Sequence, residues 1–224
     1  MLPPNILFVL TDQQRWDTCG CYGQPLPVTP QLDEMAREGV RFEYAFTSQP
    51  VCAPTRACLQ TGRYATETGV HINLRMLPLA ERTIAQHLAD AGYETGYIGK
   101  WHVYGSPDGK YGRRLAYIPP EKRLGFDYWK ACECTHDYNH SLYYEGHSTE
   151  PKFWPGYDAI AQTDDACAFI ERQAKAADPF CLVLSLGPPH FPLDTAPERY
   201  RAMFREREIQ LRRNVPPDLR EKAV

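Results

Sequence analysis

An α/β fold with a mainly parallel sheet flanked by helices is the expectation for this sequence, and three observations carry it. Short apolar runs of strand length alternate with longer stretches of helical periodicity, the pattern of parallel strands joined by helical crossovers. Polar residues recur just beyond those runs, at Asp12-Gln13, at Lys100 to His102 and at His190, and the carboxyl ends of strands are where open parallel sheets bind ligands. The composition, 43% hydrophobic and 24% charged over 224 residues, is that of a chain able to bury a core rather than remain disordered.

The elements follow in order. Asn5 to Thr11 is a continuous apolar run, as expected of a strand buried on both faces of a parallel sheet. Thr29 to Glu38 reads as a helix, with Thr29 as cap, Pro30 in the first turn, an apolar stripe of Leu32, Met35 and Ala36, and Gly39 as the stop. A strand over Val40 to Phe46 follows. Thr83 opens a second helix with Ile84, Ala85, Leu88 and Ala91 on one side, closed by Gly92, and Tyr93 to Ile98 is the next strand. Tyr157 to Ala176 repeats the helical pattern before the strand Phe180 to Leu186.

Between Tyr104 and Tyr157 the periodicity fails. That stretch holds eight of the fourteen tyrosines and two of the four tryptophans, so it reads as irregular, ordered loops that shape the substrate side of a site. Arg205 to Val224 carries ten charged side chains and no closing core element. The whole of 1–224 is read as a single unit, and the family resemblance given below implies that it is the N-terminal part of a catalytic domain, incomplete at its C-terminus.

Net charge is −3, without the basic excess of a nucleic-acid binder. No run approaches the about 18 to 20 apolar residues of a membrane span, and Met1-Leu-Pro-Pro lacks the basic flank and apolar stretch of a secretion signal. The expectation is a cytoplasmic protein. The eight cysteines contain no C-x-x-C pair; Cys132 and Cys134, followed by His136 and His140, could supply four zinc ligands, but C-x-C is tight for a structural zinc loop.

The sharpest signal is Val51-Cys-Ala-Pro-Thr-Arg-Ala-Cys-Leu-Gln-Thr-Gly-Arg63. Pro54 suits a helix start, which puts Cys52 at a helix N-terminus, where free N–H groups and the dipole favour an anion. Arg56, one turn in, adds a forked donor for tetrahedral oxyanions. Cys52-Ala-Pro-Thr-Arg56 followed by Leu59-Gln-Thr-Gly-Arg63 resembles the C-x-P-[ST]-R and L-x-T-G-R signature of the sulfatases, within the alkaline-phosphatase superfamily. Asn5 to Gly23 is similar to that family's first strand and metal loop, Gly92 to His102 to its G-Y…G-K-W-H segment, and Pro188 to Pro192 to its P-P-H-x-P.

The resemblance implies a sulfatase-like fold and an assignment of roles. Cys52 would be oxidised to formylglycine by a separate maturation enzyme. Asp12 and Gln13, with residue 52, would hold a divalent cation, calcium before magnesium or manganese. Arg56 and Lys100 would orient nucleophile and sulfate, His102 and His190 would contact the sulfate or the leaving oxygen, and Asn73 is a further substrate-side candidate. One hydroxyl of the aldehyde hydrate would attack sulfur while a histidine protonates the departing alcohol, and the second hydroxyl would later expel sulfate.

Gln13 departs from the two consecutive aspartates of many family members, which removes one anionic metal ligand. Related phosphonate and phosphate ester hydrolases carry Gln there, so a phosphorus ester is the alternative substrate, whereas Lys100 and His102 favour a sulfate ester of a sugar or other small molecule. A catalytically incomplete fragment is a second alternative, because no further metal-ligand motif follows His190. A third takes Cys52 as an ordinary thiol and leaves the other motifs unexplained. Oligomeric state is not legible.

Overall fold

Strand-forming and helix-forming stretches segregate along the chain as the periodicity requires, and the strands collect into one sheet. The computed structural model describes residues 3–216 except 107, 111, 208, 210, 211 and 213, in two compact units, Met1–Leu193 and Asp194–Val224. In chain order the strands are β1 (Ile6–Leu10), β2 (Glu94–Lys100), β3 (Tyr128–Cys132), β4 (Leu142–Glu145), β5 (Lys152–Phe153) and β6 (Phe180–Ser185). The helices are α1 (Pro30–Glu38), α2 (Cys52–Thr61), α3 (Ala65–Thr68), α4 (Ile84–Asp90), α5 (Asp158–Gln173) and, in the second unit, α6 (Glu198–Arg201).

The sheet order is β1-β6-β2-β3-β4-β5. β1, β6, β2 and β3 pair in parallel, while β4 and β5 join antiparallel, so the sheet is mixed with a parallel body. The two faces of the central strands bury different sets, because successive side chains point opposite ways. Tyr97, Trp101, Trp129 and Val183 pack with Ala53, Ala57 and Ala85 of α2 and α4. Ile98, Leu182 and Leu184 pack with Ala161, Ala166 and Phe169 of α5. The aromatic pairs Tyr97–Trp101 and Trp101–Trp129 meet edge to face at 4.9 and 5.2 Å, an arrangement that aligns ring edges with ring faces.

α4 begins where expected: the Thr83 hydroxyl accepts the Gln86 amide and the Gln86 side chain returns to the Thr83 amide, a reciprocal cap that satisfies two otherwise orphaned donors. α2 starts at Cys52 and stops at Gly62, whose left-handed backbone ends the helix. Gly99 has a structural reason too. A Cβ there would lie 2.1 Å from the Ser185 carbonyl oxygen, so glycine alone lets β2 run close enough to β6 to carry Lys100 to the sheet end.

Three expectations change. β1 was expected to be buried on both faces; it is the edge strand, and Leu7, Phe8 and Val9 are exposed. Val40–Phe46 was expected to be a strand, yet it pairs with no strand among the described residues, and Val40, Phe42, Tyr44 and Phe46 are 69–89% exposed. Alternation alone does not make a strand without a neighbour to hydrogen-bond. The stretch 104–157, expected to be irregular, also supplies β3, β4 and β5; its aromatic richness masked the strand pattern. Of the terminal segment 205–224, residues 208, 210, 211, 213 and 217–224 lie outside the described set. No helix among the described residues is long and apolar enough to cross a membrane.

Candidate active site

The parallel strands β1, β2, β3 and β6 end on one side of the sheet, and the first turn of α2 meets them there. Asp12 follows β1, Lys100 closes β2, Ser185 closes β6, and Cys52 opens α2. The Asp12 carboxylate is the hub. Its Oδ2 accepts from Lys100 Nζ at 2.6 Å and from Arg56 at 3.3 Å, and its Oδ1 faces the Cys52 thiol at 3.6 Å. Lys100 Nζ lies 3.9 Å from Cys52 Sγ. A cavity of about 600 Å³ opens above them, lined by Asp12, Gln13, Cys52, Arg56, Asn73 and His190. Sites sequence reasoning collected from four separate segments are thus brought together.

Electrostatics set the protonation of each group. Burial by itself would raise Asp12, but Lys100 and Arg56 outweigh it and hold the carboxyl at about 2. Burial raises the Cys52 thiol and Lys100 lowers it only in part, so the unmodified sulfur is a neutral, weak nucleophile at neutral pH. His102 is pushed well below the usual imidazole range by burial, with Lys100 and Arg56 adding repulsion. Both its ring nitrogens are buried and have no hydrogen-bond partner among the described residues, and its backbone is left-handed at φ 56°. Buried polar atoms without a partner are costly, and a left-handed backbone at a buried imidazole marks His102 as a functional candidate.

Each remaining candidate has a defined place. Arg56 donates to the Lys100 carbonyl at 2.7 Å and to Ser185 Oγ at 2.6 Å, so much of its fork ties α2 to the ends of β2 and β6. The Asn73 side-chain oxygen accepts the Ala53 amide at 2.9 Å, satisfying a free donor of the first turn of α2 while lining the cavity. His190 Nδ1 donates to the Phe191 carbonyl at 2.9 Å, which leaves Nε2 for another partner. Gln13 is exposed, with left-handed backbone at φ 61°.

Sequence reasoning missed Ser185 and Tyr97, whose hydroxyls both donate to the Lys100 carbonyl at 2.7 Å, and Glu133. The Glu133 carboxylate accepts the Tyr104 and Gly105 amides at 3.0 and 2.9 Å, and its carbonyl accepts the His102 amide at 2.8 Å. Ser185 and Glu133 sit at or just after strand ends, the rule that found the others; Glu133 was hidden because β3 was unread.

The oxygen donors suit a hard divalent cation in kind but not in number. Asp12 supplies a carboxylate, already ion-paired, and Gln13 an amide, against the six or more oxygens such an ion takes. Among the described residues no group of three or more His, Cys, Asp or Glu could hold a metal ion. The Cys132, Cys134, His136 and His140 zinc alternative is not assembled either: Cys134 Sγ and His136 Nε2 are 3.7 Å apart, while the His140 ring stacks on Phe153.

Comparison with known proteins agrees with the motifs. The sulfatase family model matches residues 4–219. An ulvan-active sulfatase from Formosa agariphila is 44% identical over 96% of this chain and 41% of its own length. A sulfatase of Escherichia coli named YidJ is 35% identical over 99% of this chain and 45% of its own length. A solved putative sulfatase from Bacteroides fragilis superposes with a TM-score of 0.85 at 31% identity, over 92% of this chain and 48% of that one. A solved structure described in complex with its substrate D-glucosamine-2-N,6-O-disulfate superposes with a TM-score of 0.70 at 31% identity, over 84% of this chain and 35% of its own. The chain spans less than half the length of these relatives.

Proposed function

This chain belongs to the sulfatase family, and on that premise we propose that it carries the nucleophile and the anion-binding groups for hydrolysis of a sulfate ester, with residue 52 as the attacking group. The observation that carries the reading is the position of Cys52: in the first turn of α2, 3.6 Å from the Asp12 carboxylate and 3.9 Å from the Lys100 ammonium. Formylglycine at residue 52 would supply a geminal diol, a nucleophile that releases its product by collapsing back to the aldehyde. Asp12 and Gln13, together with residue 52, would contribute ligands to a divalent cation, which supplies Lewis acidity when bound.

The remaining chemistry belongs to the side chains. Lys100 and the N-terminus of α2 present positive charge to the anionic ester, and the field strengthens as the equatorial oxygens gain charge. Arg56 fixes Lys100 and Asp12 rather than swinging freely. His102 is neutral, so it serves as a hydrogen-bond donor to a sulfate oxygen. His190, with Nδ1 anchored on a carbonyl, turns Nε2 toward the site; in the imidazolium form Nε2 also carries a proton, and that proton would pass to the departing alcohol oxygen as the S–O bond breaks, leaving the neutral ring. The substrate is a sulfated sugar or other small sulfate ester, the maturation enzyme that recognises the Cys52 to Arg56 run is a partner, and the expected compartment is the cytoplasm.

Peptide mass spectrometry after co-expression with a formylglycine-generating enzyme tests the assignment. Cys52 alone among the eight cysteines should change from CH₂SH to CHO. Modification elsewhere, or at no cysteine under conditions that convert a control C-x-P-x-R peptide, would overturn it. Gln13 is the one observation that favours a phosphorus ester, and faster release from a phosphodiester than from any sulfate ester would transfer the assignment to that class.

A further inference from the structure

Beyond the sulfate centre, the segment leaving β3 builds a second polar feature. The His136 ring stacks on the His190 ring, with centroids 4.4 Å apart and planes at 23°, so it stands one ring away from the proposed leaving-group position. Arg114 Nη2 lies 3.3 Å from His136 Nδ1. A guanidinium cannot lose its proton in this environment, so it donates and Nδ1 accepts, which leaves His136 neutral with its proton on Nε2. Burial, Lys100, His190 and Arg114 all push the same way, taking His136 down to about 4.

The backbone holds this pair in place. Cys134 donates its amide to the Arg114 carbonyl at 3.0 Å, and Glu133 accepts the His102 amide through its carbonyl at 2.8 Å, so the Arg114 segment and the His102 segment are tied to the same strand exit. Arg114 and His102 line one small cavity together with Asn73. Arg114 also lines a cleft of about 560 Å³ with Leu115, Thr135, His136 and Asp137, within the size range of small-molecule sites.

Charge balance separates Arg114 from the other cations. Lys100 and Arg56 face Asp12. The nearby acids are otherwise engaged: Glu133 accepts the Tyr104 and Gly105 amides, and Asp137 Oδ1 accepts the His140 amide. Arg113 lies over the Tyr104 ring. Among the described residues Arg114 has no carboxylate within ion-pair distance, and its one described side-chain hydrogen bond goes to His136. Among the described residues four of its five donors have no partner, in a planar fork that matches a carboxylate or sulfate.

We propose that Arg114, held by His136, forms a second anion subsite that reads a carboxylate or sulfate carried by the sugar beside the scissile sulfate ester, so that the preferred substrates are polyanionic saccharides. The inference rests on the sulfate-ester reading of the Cys52 centre. Three probes test it by NMR titration of the chain: a methyl glucoside monosulfate, a methyl glucoside disulfate and a sulfated methyl glucuronoside. The wild-type chain should bind at least one dianion about tenfold or more tighter than the monosulfate, with a shift of the His136 ring nitrogens seen only for that dianion. Arg114→Ala should remove the advantage without changing monosulfate affinity, and Arg114→Lys should keep part of it. The dianion that holds the advantage identifies the second group as sulfate, carboxylate or either. No dianion preference in the wild type, or an Arg114→Ala loss shared equally by all three probes, overturns the subsite. Lys100→Ala should weaken all three alike; monosulfate binding indifferent to Lys100 would instead overturn the sulfate-ester reading itself.

Discussion

Glu133 gives the clearest quantitative handle on the loop that carries His102. It is 3% exposed, and burial pushes its carboxyl from 4.5 to about 7 despite the Gly105 and Tyr104 amides, which favour the ionised form. A carboxyl raised in the folded state holds its proton while the unfolded chain has lost it, so stability falls as pH rises from 4.5 and levels off above 7. At about 1.4 kcal/mol per pH unit, the interval from 4.5 to about 7 is worth about 3 kcal/mol. Glu133→Gln removes the titration while keeping an oxygen for the two amides. Denaturant unfolding of both proteins between about pH 5 and 8.5 should therefore show the wild type losing about 3 kcal/mol relative to the variant across the range, with equal slopes above it. Curves that stay parallel throughout, or a wild type that gains stability as pH rises, would refute the account of a buried, protonated Glu133.

Other consequences are open to measurement. Lys100→Ala or His102→Ala in the active enzyme should lower sulfate release by about a hundredfold or more while leaving the fold intact, since both are buried polar groups at the sheet end, outside the two apolar clusters; near-normal turnover would remove that residue from the mechanism. Calorimetric titration of the chain with calcium, magnesium and manganese should show weak binding, because Asp12, Gln13 and residue 52 offer too few oxygens; tight binding would show that the described donors suffice. The exposed edge at Leu7, Phe8 and Val9, with the unpaired ribbon Val40–Phe46, should make the chain associate as its concentration rises, and Phe42→Ser with Phe46→Ser should shift light scattering toward the monomer.

What could be read in advance depended on how local the signal was. α4, β2, α5 and β6 were legible because caps and periodicity lie within the elements themselves, and the Thr83 and Gln86 pair fixes its helix with residues three apart. Asp12, Cys52, Lys100 and His190 were legible because each stands at a strand end or helix start. β1 as an edge and Val40–Phe46 as unpaired were not, since both depend on which strand lies alongside, a long-range matter. Glu133 and Ser185 stand at strand ends too, but β3 was not read as a strand, and the backbone groups these two side chains bond are distant in sequence.

The departure at position 13 connects these threads. Around Cys52 the described residues place one carboxylate, Asp12, against the basic side chains of Lys100 and Arg56, with His102 kept neutral. Asp12 alone does not balance both basic groups, Glu133 being largely protonated below about 7, and burial makes an uncompensated positive charge expensive. A second aspartate at 13 would have cancelled it, strengthening the hold on a cation and weakening the pull on an anionic ester. Glutamine keeps an oxygen for a metal without spending the field. On this arithmetic the centre favours an anion, and Arg114, hydrogen-bonded to His136 and without a carboxylate partner among the described residues, adds a further positive group nearby.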